Sequence, residues 1–326
     1  MLLALRSGFR AAAFAATLIG AAGIHAQGTA YPTKPIRLIY PFPPGGGADF
    51  VARLITPKLT EAWGQQIINE NRSGAGGNIG AEFALRQLPD GYTMLVITGS
   101  YTVNPSVYKL SFDPVNDVSP LAQTAGGPFV VVVHPALPAK NVRELVALTK
   151  ARPGALNYGS TGVGGITHLA TEFFRLTAGI RITHIPYKGT GPAVVDLLGG
   201  QVQLMIAAGA GVMHHVRANR LRALAVTSAK RSQTLPDLPT VIESGVPGYD
   251  VLLWYGLLGP KGLPREIVTQ WNTEVNRAIQ LPDIKERFAS AGLEPTPGTP
   301  EDLGRQLKRE VERWAMVVKK AGVKVE

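Results

Sequence analysis

Short apolar runs alternate with amphipathic stretches along most of the chain, the pattern of buried strands each followed by a covering helix. Segments 36–41, 66–69 and 93–98 read as strands, and 48–63 as a helix that Gly64 stops. Pro57 inside that helix predicts a kink or a split after Thr56. A second helix, opened by 71–80, runs through Leu88 to the Pro89-Asp90-Gly91 turn.

The run 121–133 then carries the chain into a second lobe, with Gly126-Gly127-Pro128 as a hinge. There, helices at 141–151, 166–176 and 192–198 are interleaved with strands at 181–186, 202–207 and 221–227. After a turn-rich link at 236–248, the strand at 251–259 returns to the first lobe, and helices at 265–279, 283–290 and 300–321 pack back on it. The expected fold is α/β with two lobes, each a mainly parallel sheet flanked by helices. Residues 27–125 and 251–326 form one lobe and 126–250 the other. Two crossings between lobes give a clam-shell that closes about a hinge.

Residues 1–26 read as an export signal: Arg6 and Arg10 supply the positive end, 11–24 is apolar, and the small Ala26 precedes Gln27. Beyond Ile24 no run reaches membrane length, so the expected product is a soluble periplasmic protein. The leader carries two basic and no acidic residues, so its removal lowers the formal charge from +10 by two, to +8. A positive surface suits anionic solutes. The basic residues are scattered, without a dense run or interleaved aromatics, which argues against nucleic acid as a partner. There is no cysteine, so disulfides and thiolate chemistry are excluded. Histidines at 25, 134, 168, 184, 214 and 215 show no metal-ligand spacing, and neither metal nor cofactor is expected.

Three places join a strand to a helix through a glycine-rich or hydroxyl-rich turn. Residues 40–49 run Tyr-Pro-Phe-Pro-Pro-Gly-Gly-Gly-Ala-Asp, 156–165 contain Tyr158-Gly159-Ser160-Thr161, and Gly99-Ser100-Tyr101-Thr102 follows the third strand. The first turn of a helix has no internal acceptors, so such mouths collect anions. Ligands in open α/β sheets bind beyond the carboxyl ends of strands. Candidate contacts are Phe42, Gly47, Ala48 and Asp49 in the first mouth, and Ser160, Thr161, Gly165, Ile166, Thr167 and His168 in the second. Tyr101 and Thr102 come from the third.

Each candidate has a plainer reading. Glycines at 74, 76, 77 and 80 leave Ile79 where a dinucleotide loop needs its third glycine, so a tight turn into a helix is preferred. His168 and Glu172 stand one helical turn apart, either as an oriented general base or, more simply, as a hydrogen-bonded helix pair. Ser160 lacks a nucleophile elbow and suits a donor role. Asp49 can cap its helix, meet the ligand, or both.

In sequence order, the stretches starting Tyr31-Pro-Thr-Lys-Pro-Ile-Arg, Pro41-Phe-Pro-Pro-Gly-Gly-Gly-Ala-Asp, Glu70-Asn-Arg-Ser-Gly-Ala-Gly-Gly-Asn-Ile-Gly, Asp90-Gly-Tyr-Thr, Asn104-Pro and His184-Ile-Pro-Tyr-Lys-Gly-Thr-Gly-Pro-Ala resemble the Bug receptors. These are the substrate-binding proteins of tripartite tricarboxylate transporters. So do Leu221-Arg-Ala-Leu-Ala-Val-Thr-Ser and Pro239-Thr-Val. The resemblance implies a type II periplasmic binding fold that delivers a small carboxylate to a permease of one large and one small subunit. It implies that the loop from Phe42 to Asp49 holds one carboxylate, commonly through water, and that Ser160-Thr161 with 165–167 clamps the other end.

Family members often carry an acid where Ala207 stands here. Its loss shifts the expected ligand from amino acids toward simple di- or aromatic carboxylates, and the apolar strand end with Gly209 and Gly211 suggests a roomier pocket. The expected protein is a monomeric, non-enzymatic receptor. Its rivals are a sensor signalling to a membrane kinase, and a hydrolase or isomerase using His168.

Overall fold

The computed structural model describes residues 31–323, so the export segment lies outside the described residues. Among the described residues, ten strands, ten α-helices and two short 3-10 turns follow Pro32 in one compact unit. β1 (Ile36–Tyr40), β2 (Ile67–Asn71) and β3 (Thr93–Thr98) are parallel, with β1 in the middle. All six residues of β3 are buried, the signature of a strand covered on both faces.

The chain continues into β4 (Val118–Val133), a strand of 16 residues shared by two sheets. Its first part pairs antiparallel with β9 (Leu252–Pro260), which in turn pairs antiparallel with β3. Its last five residues, 129–133, pair instead with β7 (Leu204–Ala208) and β8 (Arg222–Val226). Beyond β7 the second sheet is parallel, through β5 (Asn157–Ser160) to β6 (Thr183–Pro186). A two-residue strand, β10 (Glu294–Pro295), adds to β4. Each lobe is therefore a mixed sheet, parallel at its outer side and antiparallel at the crossing strands. Gly126, Gly127 and Pro128 lie inside β4, opposite Trp254, Leu253 and Leu252.

Helices α1 (Gly47–Trp63), α2 (Asn78–Leu85) and the single turn α3 (Gly99–Val103) follow the first three strands. In the second sheet α4 (Val142–Ala151), α5 (Ile166–Ala178), α6 (Thr190–Leu198) and α7 (Gly209–Arg217) alternate with the strands. The chain closes with α8 (Arg265–Ala278), α9 (Pro282–Ser290) and α10 (Pro300–Ala321), and α8 and α10 both pack on β4. A Thr299–Asp302 capping box, in which each side chain bonds the other's amide, fixes the start of α10.

Three sequence expectations change. α1 runs unbroken through Pro57; the carbonyl that loses its partner is that of Arg53, and both residues are exposed, so the vacated bond faces solvent. α2 ends at Leu85, a turn before Leu88. Residues 209–217 form a helix, α7, that the Gly-Ala-Gly start concealed.

Candidate functional site

Gly46 before α1 and Gly165 before α5 have extended backbones and offer no capping side chain. The first amides of both helices are therefore not taken up by a cap. In the first mouth Asp49 is 8% exposed, and its carboxylate accepts from the Gly45 amide at 3.1 Å and from Arg53 Nε at 2.9 Å. It ties the loop at Gly45 to the first turn of α1 and does not cap the helix, whose N-cap is Gly46. Any Cβ on Gly47 would overlap the Tyr255 hydroxyl, so glycine is what lets β9 approach α1. The Phe42 carbonyl accepts from Asn71 Nδ2 at 3.0 Å, and Ala48 is buried. Beneath Phe42, between Thr98, Tyr101 and Asn104, lies a cavity of about 10 Å³, the size of a single water site.

The third mouth turns its side chains inward. The Tyr101 hydroxyl donates to the Pro114 carbonyl at 3.1 Å and the Thr102 hydroxyl to the Gly99 carbonyl at 2.8 Å, so what these residues can offer a ligand is main chain. Thr98 Oγ1 accepts from the Ser100 amide at 3.2 Å.

Side chains in the second mouth bond chiefly to one another. Thr167 Oγ1 accepts from the Thr161 amide at 3.0 Å, and the two threonine hydroxyls stand 2.9 Å apart. Fully buried Ser160 places its hydroxyl 2.6 Å from His184 Nε2. His168 Nδ1 accepts from the Gly164 amide at 3.0 Å, and its ring lies on that of His184 at 3.8 Å and 7°. Burial holds His168 below the ordinary histidine range against an opposing pull from Glu172, and burial together with His168 takes His184 down to about 3. Both rings are neutral at pH 7, and the Gly164 bond puts the His168 proton on Nε2.

Glu172 does not pair with His168. Its two oxygens accept from the Tyr158 hydroxyl at 2.7 Å and from Arg175 Nε at 2.8 Å. Neither the oriented base nor the simple helix pair is formed, because partners from β5 and from the next turn of α5 reach Glu172 first.

The mouths meet. The Ile166 amide, the first of α5, donates to Ser100 Oγ at 3.2 Å, and a Cβ on Gly99 would stand 3.1 Å from the Ile166 side chain. Sequence reasoning placed Ser100 in the third mouth and His184 in a family stretch without naming either as a contact, and it passed over Trp254 and Tyr255, which reach this region through tertiary contacts that no local pattern encodes. Ala207 is 1% exposed and belongs to an apolar cluster with Val130, Val132 and Met205. The expected extra room near it is absent, since a Cβ on Gly209 would collide with the Ala291 carbonyl and one on Gly211 would stand 2.7 Å from the Thr190 methyl.

A cavity of about 690 Å³ opens between residues 110–117 and Lys308, Val311 and Glu312 of α10, lined by the Phe112 and Pro114 that Tyr101 packs against. Among the described residues no group of three histidine or acidic side chains could hold a metal ion, and no helix is long and apolar enough to cross a membrane.

Comparison with known proteins agrees with this architecture. Bordetella pertussis protein BugT is 39% identical over 316 residues, covering 94% of this chain and 96% of its own. The structure of R. palustris Rpa4515 with adipate superposes with a TM-score of 0.86 at 38% identity, over 90% of this chain and 100% of that one. MatC from Rhodopseudomonas palustris with bound malate gives 0.81 at 30% identity, over 88% and 100%. Residues 51–323 match the tripartite tricarboxylate transporter family receptor, TctC. The fold is that of a two-lobed periplasmic binding protein, and the chain belongs to the TctC family of solute receptors.

Proposed function

We propose that this protein is exported to the periplasm, binds a small di- or aromatic carboxylate between the mouths at 42–49 and 160–168, and delivers it to a two-subunit membrane permease. The observation that carries the reading is the bond between the Ile166 amide and Ser100, which brings the starts of α5 and α3 together, with Phe42 of the first mouth beside α3 at the small cavity lined by Thr98 and Tyr101. Main-chain donors at helix starts hold an anion without a covalent step, and water can bridge where a direct contact falls short. Adipate and malate, bound by the two relatives above, are the first ligands to test.

In this reading residues 27–125 and 251–326 move as one lobe and 126–250 as the other. The protein acts as a monomer without turnover. Asp49, already engaged by Gly45 and Arg53, meets the ligand through water, since direct contact would set two carboxylates against each other.

A thermal-shift panel of carboxylates tests the proposal. A true ligand at about 100 times its dissociation constant adds roughly 2.7 kcal/mol to stability. No shift with any di- or aromatic carboxylate overturns it. Delivery is tested separately by co-purification with the permease subunits.

A further inference from the structure

Among the described residues, five buried side-chain polar atoms lack a partner, and one of them is at the junction of the mouths: Trp254 Nε1. Trp254 lies on β9 and is 4% exposed. A Cβ built on Gly99 would stand 3.6 Å from its Nε1 and 3.1 Å from Ile166 Cγ1, so the indole nitrogen lies beside Gly99, where the starts of α3 and α5 meet. Its neighbours are already matched. The Ile166 amide has Ser100 Oγ, the Ser100 amide has Thr98 Oγ1, and Thr102 has the Gly99 carbonyl.

A donor buried without an acceptor forfeits its hydration and gains nothing in return. An indole N–H can only donate, so the missing partner is an acceptor. Beside it α5, 13 residues long, begins at a glycine that brings no side chain, leaving first-turn amides and the positive end of the helix dipole toward the same place. A neutral donor next to a helix start fits a carboxylate oxygen and gives nothing to an ammonium group.

We propose that Trp254 donates its indole N–H to an oxygen of the bound carboxylate, a contact from the crossing strand that neither mouth loop supplies. Gly99 is the residue that keeps the approach open, because a side chain there would fill the gap between the indole and Ile166. The inference rests on the receptor reading above and adds to it a ligand group selected for being an acceptor. With the acceptor in place the buried donor is satisfied, so ligand and closed cleft favour each other.

The test uses the mature protein labelled with 15N and titrated with adipate and with malate. The Trp254 indole resonance should move downfield with whichever acid binds, in step with saturation. Trp254→Phe, which keeps an aromatic ring and removes the donor, should weaken binding of that acid about 10-fold to 100-fold, as expected for a hydrogen bond to a charged group. An indole resonance that stays in place at saturation overturns the assignment, and so does a folded Trp254→Phe protein with unchanged affinity. If the variant does not fold, the wild-type resonance decides alone. If the wild type binds neither acid nor any other carboxylate of the thermal-shift panel, the receptor reading falls and takes this inference with it. Binding with a silent indole removes only the Trp254 assignment.

Discussion

The imidazole rings of His168 and His184 lie on each other at 3.8 Å with their planes 7° apart, and each is tied to the second mouth, one through the Gly164 amide and the other through the Ser160 hydroxyl. Two positive rings cannot share that stack without repulsion, so the arrangement belongs to the neutral state.

Acid should loosen the mouth. The folded state holds the pKa of His184 down to about 3, and that of His168 below the usual value as well, whereas both return to about 6.5 on unfolding. Lowered histidine pKa values mean that the unfolded chain binds more protons between these limits. The stabilisation is therefore complete above about pH 6.5 and is lost progressively as pH falls toward 3. Melting temperatures from pH 7.5 to 4 should fall, and His184→Gln should flatten the slope. An equal slope in the variant would assign the loss to other groups.

Gly47 is held by Tyr255. Gly47→Ala pushes a methyl into the tyrosine hydroxyl and should destabilise the fold by about 1–3 kcal/mol. Tyr255→Phe in the same chain should recover part of that loss, a coupling read from denaturant unfolding of the double-mutant cycle. Additive effects would mean that the two residues do not meet.

At Gly165 the expectation reverses. A Cβ there finds the Gly162 carbonyl and Thr161 Oγ1 at 3.4 Å, ordinary contact distance, so the fold has room for a side chain. Gly165→Leu should keep its melting temperature within a few degrees and weaken carboxylate binding at least 10-fold, about 1.4 kcal/mol. Calorimetry on the folded variant decides, and wild-type affinity would remove Gly165 from the site.

The Tyr158–Glu172–Arg175 chain is a structural brace. Glu172→Ala strands the fully buried Tyr158 hydroxyl and should cost about 1–3 kcal/mol in urea unfolding. Tyr158→Phe combined with it should cost little more than Glu172→Ala alone, since the stranded group is then gone.

Much of the fold was legible because its strands are written as apolar runs. β3 and α1 follow from Thr93–Thr98 and from the pattern before Gly64 almost to the residue. α7 was missed because Gly209 and Gly211 read as a strand end, whereas here small residues let the helix start pack against Ala291 and Thr190. The mouths could be seen as turns preceding helices. What occupies their side chains could not: His168 and Glu172 have the right spacing for each other, yet Gly164 and Tyr158 claim them through contacts set by the fold. Trp254 and Tyr255 looked like two more apolar residues of a returning strand.

Strand β9 lies between β3 and β4, so Leu95, paired with Ile39 on one side, finds its neighbour on the other side in Leu258, which is synthesised far later. Until that stretch has emerged, the parallel strands at the start of the chain present β3 as an open, largely apolar edge, the kind that invites pairing with other molecules. A chain built this way cannot finish its first sheet until β9, close to its end, has been made.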